Sequence, residues 1–172
     1  LGLAWADIDD DGYQDLYLAN DFGRNTLFRN NGDGTFADIS KESGTLDIGF
    51  GMSATFGDID NDGDLDLYVS NVHSAARWYG QATTLYQYLI TSMRQGTFLE
   101  DFGLYKEIFY ALGLNWGEIG NKVTRGNALF INDGQGGFSD VAPEAGASPF
   151  GWYWGSTIFD YDNDGFQDIY AT

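Results

Sequence analysis

Three nine-residue stretches of this chain share four aspartates and a glycine at the same places. They are Asp7 to Asp15 (D-I-D-D-D-G-Y-Q-D), Asp58 to Asp66 (D-I-D-N-D-G-D-L-D) and Asp160 to Asp168 (D-Y-D-N-D-G-F-Q-D). The second starts 51 residues after the first, and the third 102 after the second. The match extends past the acidic stretches: residues 25–70 and 127–172 align without a gap, so that Asn25-Thr26-Leu27-Phe28 falls on Asn127-Ala128-Leu129-Phe130 and Glu42-Ser43-Gly44 on Glu144-Ala145-Gly146. A chain built this way folds as an array of one supersecondary unit, because each unit buries its apolar face against its neighbours.

Each unit reads as four short strands. The first runs into an acidic loop (Leu3 to Asp9, Ser53 to Asp60, Gly155 to Asp162), and the second leaves it with alternating apolar residues (Leu16 and Leu18, Leu67 and Val69, Ile169 and Ala171). Period-two alternation bounded by Gly, Asp and Asn is the strand signal. Thr26 to Arg29 and Ala128 to Ile131 supply third strands; glycine-rich turns at Gly32–Gly34 and Gly134–Gly136 lead into fourth strands at Phe36 to Ile39 and Phe138 to Val141. Four strands per repeat of roughly 40–50 residues predicts the blades of a β-propeller. The expectation is an all-β chain of about three four-stranded blades, part of a larger ring. The ends, Leu1 to Trp5 and Asp168 to Thr172, read as mid-strand, as in a piece of a longer protein.

One stretch departs from the pattern. Four residues separate Asn20 from Asn25, whereas fifty-five separate Asn71 from Asn127. Within it Leu85, Leu89 and Met93, and then Leu104, Ile108 and Leu112, fall at helical spacing. This divides the chain into blade repeats at 1–71, an aromatic-rich helical insertion at 72–126 between the second and third strands of a blade, and a further blade repeat at 127–172. A decayed extra blade is the rival reading, since the surplus is one repeat long.

Charge and composition exclude several functions. Twenty-six acidic residues against eight basic ones give a formal net charge of −18. Such a surface repels nucleic-acid phosphates and anionic membranes. The absence of cysteine removes disulfides, thiolate metal sites and cysteine nucleophiles. No apolar run approaches the ~20 residues needed for a transmembrane helix.

The acidic loops suit calcium. Ca²⁺ takes six to eight oxygen ligands, and a short loop with acids at alternate positions can turn them toward one ion. Glycine at position 6 permits the sharp turn. The expected side-chain ligands are Asp7, Asp9, Asp11 and Asp15; Asp58, Asp60, Asp62 and Asp66; and Asp160, Asp162, Asp164 and Asp168. Position 7 (Tyr13, Asp64, Phe166) would offer its backbone carbonyl, which fits its chemical variety. Read as bland surface turns, three copies sharing every acid would crowd carboxylates with nothing to offset their repulsion. An EF-hand is excluded because position 12 holds Leu18, Val69 or Ala171 instead of a bidentate glutamate. Three Ca²⁺ sites are therefore expected, with affinities of ~10⁻⁴–10⁻³ M, a range that matches extracellular calcium.

With these loops, the Phe-Gly pairs at Phe50-Gly51 and Phe150-Gly151 and the N-x-L-F … G-x-G-x-F blade core, the chain resembles FG-GAP/VCBS repeats of the integrin-α type. It is particularly similar to bacterial relatives of the cartilage acidic protein (ASPIC/UnbV) family. That resemblance covers all but roughly residues 72–126. It implies a seven-bladed propeller when complete, one calcium per loop between the first and second strands of a blade, and a secreted or surface role in adhesion, matrix or assembly.

No catalytic residue is expected. The lone histidine, His73, lies beside Ser74 after a strand, where a structural or surface role is the ordinary one, and no motif places a nucleophile near it. A glycosidase pair drawn from Glu42, Glu100, Glu107, Glu118 and Glu144 has no motif to support it. The insertion, with Trp78, Tyr79, Tyr105 and Trp116 among its aromatics, either forms its own small core or carries a protein partner, with a glycan as the alternative ligand. The competing function is accordingly a carbohydrate-binding or polysaccharide-active propeller.

Overall fold

The computed structural model describes residues 2–21, 24–47, 50–73, 126–149 and 151–172. Among these residues every regular element is a β-strand. The first sheet holds β1 (Gly2–Ala6), β2 (Asp15–Ala19), β3 (Thr26–Asn30) and β4 (Phe36–Asp38), in sequential antiparallel order. The second holds β5 (Gly51–Gly57), β6 (Asp66–His73), β7 (Ala128–Asn132) and β8 (Phe138–Asp140) in the same order. β9 (Gly151–Trp152) pairs with the far end of β6, and β10 (Ser156–Phe159) with β11 (Asp168–Ala171) makes a third, two-stranded sheet. Each acidic stretch is the connection between the first two strands of its sheet. No helix among the described residues is long and apolar enough to cross a membrane.

The pairing of β6 with β7 matters for how the chain is organised. Leu67 faces Phe130 and Val69 faces Ala128, the same register that sets Leu16 opposite Phe28 and Leu18 opposite Thr26 in the first sheet. β6 and β7 thus belong to one sheet, although the 74–125 stretch lies between them in sequence. The helical spacing and aromatic cluster expected between them lie outside the described residues.

The three sheets stack as successive blades. Their first strands are neighbours, β1 beside β5 and β5 beside β10, so the stack fans out from an inner row of strands. One core lies between the first two blades, where Ala6, Tyr17, Ala19 and Leu27 pack with Ala54, Leu67, Val69, Phe130 and Phe138. A second lies between the next two, where Tyr68, Leu129 and Ala142 pack with Ile158, Ile169 and Ala171. Alternation along each strand decides which side chain serves which core: Leu67 and Val69 face the first, Tyr68 the second. Backbone hydrogen bonds add to the seam, as where Phe138 N–H donates to the Ser43 carbonyl at 2.7 Å.

Candidate metal centres

The three acidic loops adopt one geometry, and the sequence dictates much of it. Residues four and six of each loop are left-handed: Asp10, Asn61 and Asn163 at φ near 55–59°, and Gly12, Gly63 and Gly165 at 89–98°. Glycine enters this region freely, and Asp and Asn are the side chains that tolerate it best. The glycine requirement is visible in the sequence; the Asp/Asn restriction at position 4 is visible too but easily missed among so many acids.

These two kinks fold the loop around its first carboxylate. Asp7 accepts from the N–H groups of Asp11 (3.1 Å) and Gly12 (2.8 Å), Asp58 from Asp62 and Gly63 (both 3.1 Å), and Asp160 from Asp164 (3.1 Å) and Gly165 (3.0 Å). The position 5 carboxylate in turn accepts from the N–H two residues on, Asp11 from Tyr13, Asp62 from Asp64 and Asp164 from Phe166, at 2.8–2.9 Å. An ionised carboxylate has about four acceptor sites, so these bonds fix each side chain and leave lone pairs for a cation.

Carboxylate oxygens converge in all three loops. Asp7, Asp9 and Asp15 each place one within 4.8 Å of the others; Asp58, Asp60 and Asp62 do the same, as do Asp160, Asp162 and Asp164. The convergent sets differ in their third member: position 9 in the first loop, position 5 in the other two. Asp11, Asp66 and Asp168 stand outside the convergent set of their own loop. Position 7 lies at the loop's exit, with Tyr13 and Phe166 exposing their rings to solvent.

Position 9 has a second task that the loop sequence alone does not show. Asp66 is fully buried and spends one oxygen on the N–H of Ile59 (2.8 Å) and the other on the N–H of Asn132 (2.9 Å). Asp15 likewise accepts from Ile8 (3.1 Å) and Asn30 (2.7 Å). It therefore ties the loop to the end of the third strand. Asp168 accepts from Tyr161 (2.8 Å), and its side chain is exposed.

The electrostatics are those of a crowded anionic site. Burial pushes the carboxyls of Asp15 and Asp66 above the usual range, the N–H donors pull them back, and the charges of neighbouring acids push them up again. Asp60 is raised by desolvation and by Asp62, and Asp64 by desolvation, Asp62 and then Asp10 of the first loop. The fit to a cation rests on one further atom: Asp9 Oδ1 is buried with no hydrogen-bond partner. A buried carboxylate oxygen without a donor is costly unless something positive meets it. All donors here are hard oxygens, the set that calcium prefers.

Loops and blades are also joined to one another. Asn132 Nδ2 donates to the carbonyl of Ile8 in the first loop at 3.0 Å. Asn61, at position 4 of the second loop, donates to the carbonyl of Gly165 in the third, also at 3.0 Å.

A family model described as an FG-GAP-like repeat matches residues 7–69 and 106–171, well over half of the chain. Cartilage acidic protein 1 of Xenopus tropicalis is 33% identical over 84 residues, covering 48% of this chain and 13% of that protein. Cartilage acidic protein 1 of Homo sapiens is 26% identical over 170 residues, covering 90% of this chain and 25% of that protein. The chain thus spans about a quarter or less of the length of these relatives. With the repeated loop, the four-stranded blade and the family match in agreement, this chain belongs to the FG-GAP-like repeat family.

Proposed function

We propose that this chain is a calcium-binding segment of an extracytoplasmic β-propeller, with a structural, adhesion or assembly role and no catalytic step of its own. The observation that carries the reading is the buried, donor-less Oδ1 of Asp9 within a convergent group of three carboxylates. The repetition of that loop geometry in the second and third blades supports it. Asp7, Asp9 and Asp15, then Asp58, Asp60 and Asp62, then Asp160, Asp162 and Asp164 would hold the ions, with position 7 carbonyls and the remaining loop aspartates as further donors. Bound calcium would supply charge neutralisation and a fixed loop shape, and so bind folding to metal. Two relatives bear the name of cartilage, an extracellular matrix, and this supports an extracytoplasmic setting. A protein partner belongs to the same reading, with the 72–126 segment as its surface.

Thermal unfolding with calcium, with magnesium and with a chelator tests the proposal. At a tenfold excess over Kd each site contributes about 1.4 kcal/mol. Three sites would then raise the midpoint by roughly 10 °C for a chain of this size. Magnesium should do much less, because it demands a tighter octahedral shell. A midpoint that calcium does not move would overturn the reading.

A further inference from the structure

One side chain crosses from the second acidic loop to the third. At position 4 the first loop carries Asp10 and the second Asn61, both left-handed, at φ 55° and 59°. Only the asparagine has an N–H to give. Its Nδ2 donates to the carbonyl of Gly165, at position 6 of the third loop, at 3.0 Å. Asp10, as a carboxylate, has no such donor to offer the second loop.

The peptide that Asn61 reaches also orients a candidate ligand. Its carbonyl belongs to Gly165 and its N–H to Phe166, and that N–H donates to the carboxylate of Asp164 at 2.9 Å. One peptide earlier, Gly165 N–H donates to Asp160 at 3.0 Å. Asp160 and Asp164 are two of the three carboxylates that converge in this loop. A peptide whose oxygen accepts a hydrogen bond is polarised toward stronger donation from its nitrogen. Gly165 itself lies at φ 92° and, as a glycine, has the most conformational freedom to lose. Asn61 therefore restrains the third loop at the residue that needs it most.

The frame that delivers Asn61 is tied separately. Thr55 Oγ1 donates to the carbonyl of Ser156 at 3.0 Å, and Ser156 N–H donates to Ser53 Oγ at 3.3 Å. These bonds join the first strands of the second and third blades ahead of their loops.

We propose that Asn61 is a positioning residue for the third cation site, so that a side chain of the preceding blade completes that site. The inference rests on the calcium reading of the loops. Position 4 then sets how far the next blade's site is pre-organised, and asparagine does what aspartate cannot. By linkage, calcium in the third loop must tighten the bond to Asn61, and with it the seam between the second and third blades.

The test isolates the third site within the whole chain. Asp9→Asn and Asp60→Asn remove the position 3 carboxylates of the first two loops, so that calcium in a calorimetric titration fills the third loop alone. Adding Asn61→Gly keeps the left-handed turn and deletes the amide. It should weaken calcium binding about two- to fivefold, the worth of one exposed hydrogen bond. In a companion chain that keeps only the first site, through Asp60→Asn and Asp162→Asn, Asn61→Gly should leave calcium affinity unchanged. In proton–nitrogen correlation spectra of the third-site chain, the Asn61 side-chain amide should shift as calcium is added, although its own loop binds none. If Asn61→Gly does not give the wild-type circular dichroism spectrum, that amide shift decides alone. Equal affinities with asparagine and with glycine overturn the proposal. So does an Asn61 amide that calcium leaves in place, or an equal loss at the first site, which would mean a general loosening of the fold. A wild-type chain that binds no calcium overturns the calcium reading and this inference with it, whereas binding that ignores Asn61 overturns the inference alone.

Discussion

Asp66 and Asn132 are 66 residues apart in sequence, yet a buried carboxylate oxygen of the first accepts the backbone N–H of the second at 2.9 Å. Its other oxygen holds the N–H of Ile59. One side chain therefore joins the acidic loop, the second strand and the third strand of a blade whose sequence is interrupted between β6 and β7. Both bonds are made between protein groups alone.

Asp66→Ala should accordingly destabilise the chain even in chelator. It strands two N–H groups in a buried setting, and each unsatisfied group costs about 1–3 kcal/mol. Asp168→Ala, at the same loop position but exposed and bonded to Tyr161, should cost well under half as much. Urea unfolding of both variants in chelator measures the difference; equal losses would show that the tie to the third strand contributes nothing.

The buried hydroxyls of two equivalent tyrosines predict opposite outcomes. Tyr68 Oη accepts from Asn127 Nδ2 at 2.7 Å and donates to the Ala147 carbonyl at 3.3 Å. Tyr17 Oη is buried and makes no hydrogen bond of good geometry: Asn25 lies close enough to interact with it but gives its Nδ2 to Asp47 at 2.9 Å. Tyr68→Phe should lose about 1–3 kcal/mol, because it strands the Asn127 donor. Tyr17→Phe should be neutral or stabilising, since it removes an unsatisfied polar atom. Both are read as shifts in urea midpoint at constant slope.

Gly63 isolates the cost of the loop's left-handed turn. Its φ is 98°, and a Cβ placed there would meet nothing within 4 Å. Any penalty in Gly63→Ala is then conformational, about 1–2 kcal/mol. The loop's N–H donation to Asp58 should loosen with it. Under the calcium reading, the variant's calcium affinity falls while the first and third sites keep theirs, which calorimetric titration resolves as a lost or weakened site out of three.

Much of this architecture was legible in the sequence, and the exceptions have physical causes. The loops, their glycines and the four-strand unit follow from local spacing, and the strand register follows from alternation. The convergence of Asp15 in the first loop, against Asp62 and Asp164 in the others, cannot be read from the loop sequences, which carry the four aspartates at the same positions. The clamp from Asp66 to Asn132 needs a pairing across the 72–126 stretch that no spacing rule reaches. Tyr17 and Tyr170 occupy the same repeat position with opposite burial, because burial is set by the next blade and not by the residue. The Asp or Asn at position 4 was the one signal present in all three repeats that points to a left-handed residue besides glycine.

The pH dependence of stability should change sign with metal. In chelator, Asp15, Asp60, Asp64 and Asp66 hold their protons more tightly in the folded chain than in the unfolded one, chiefly through desolvation. For a raised carboxyl, the stabilisation by proton binding is complete below the unfolded-state value and is lost as pH rises through the folded-state value. Asp33 and Asp133 carry the opposite sign: Thr35 donates to Asp33, and Gly137 and Gln135 donate to Asp133, and both carboxyls are lowered. Their contribution is present above the unfolded value and disappears as pH falls through the lowered one, and both side chains are exposed, so solvent weakens it. The metal-free chain should therefore gain thermal stability as pH falls from neutral toward the ordinary carboxylate range, as the raised groups take up protons. With calcium, protons on Asp15 and Asp60 compete with the ion for the same oxygens, and acidification should lower the midpoint instead. Thermal unfolding across this window in chelator and in calcium measures both slopes. Slopes of one sign in the two conditions would mean that metal and proton do not share these carboxylates.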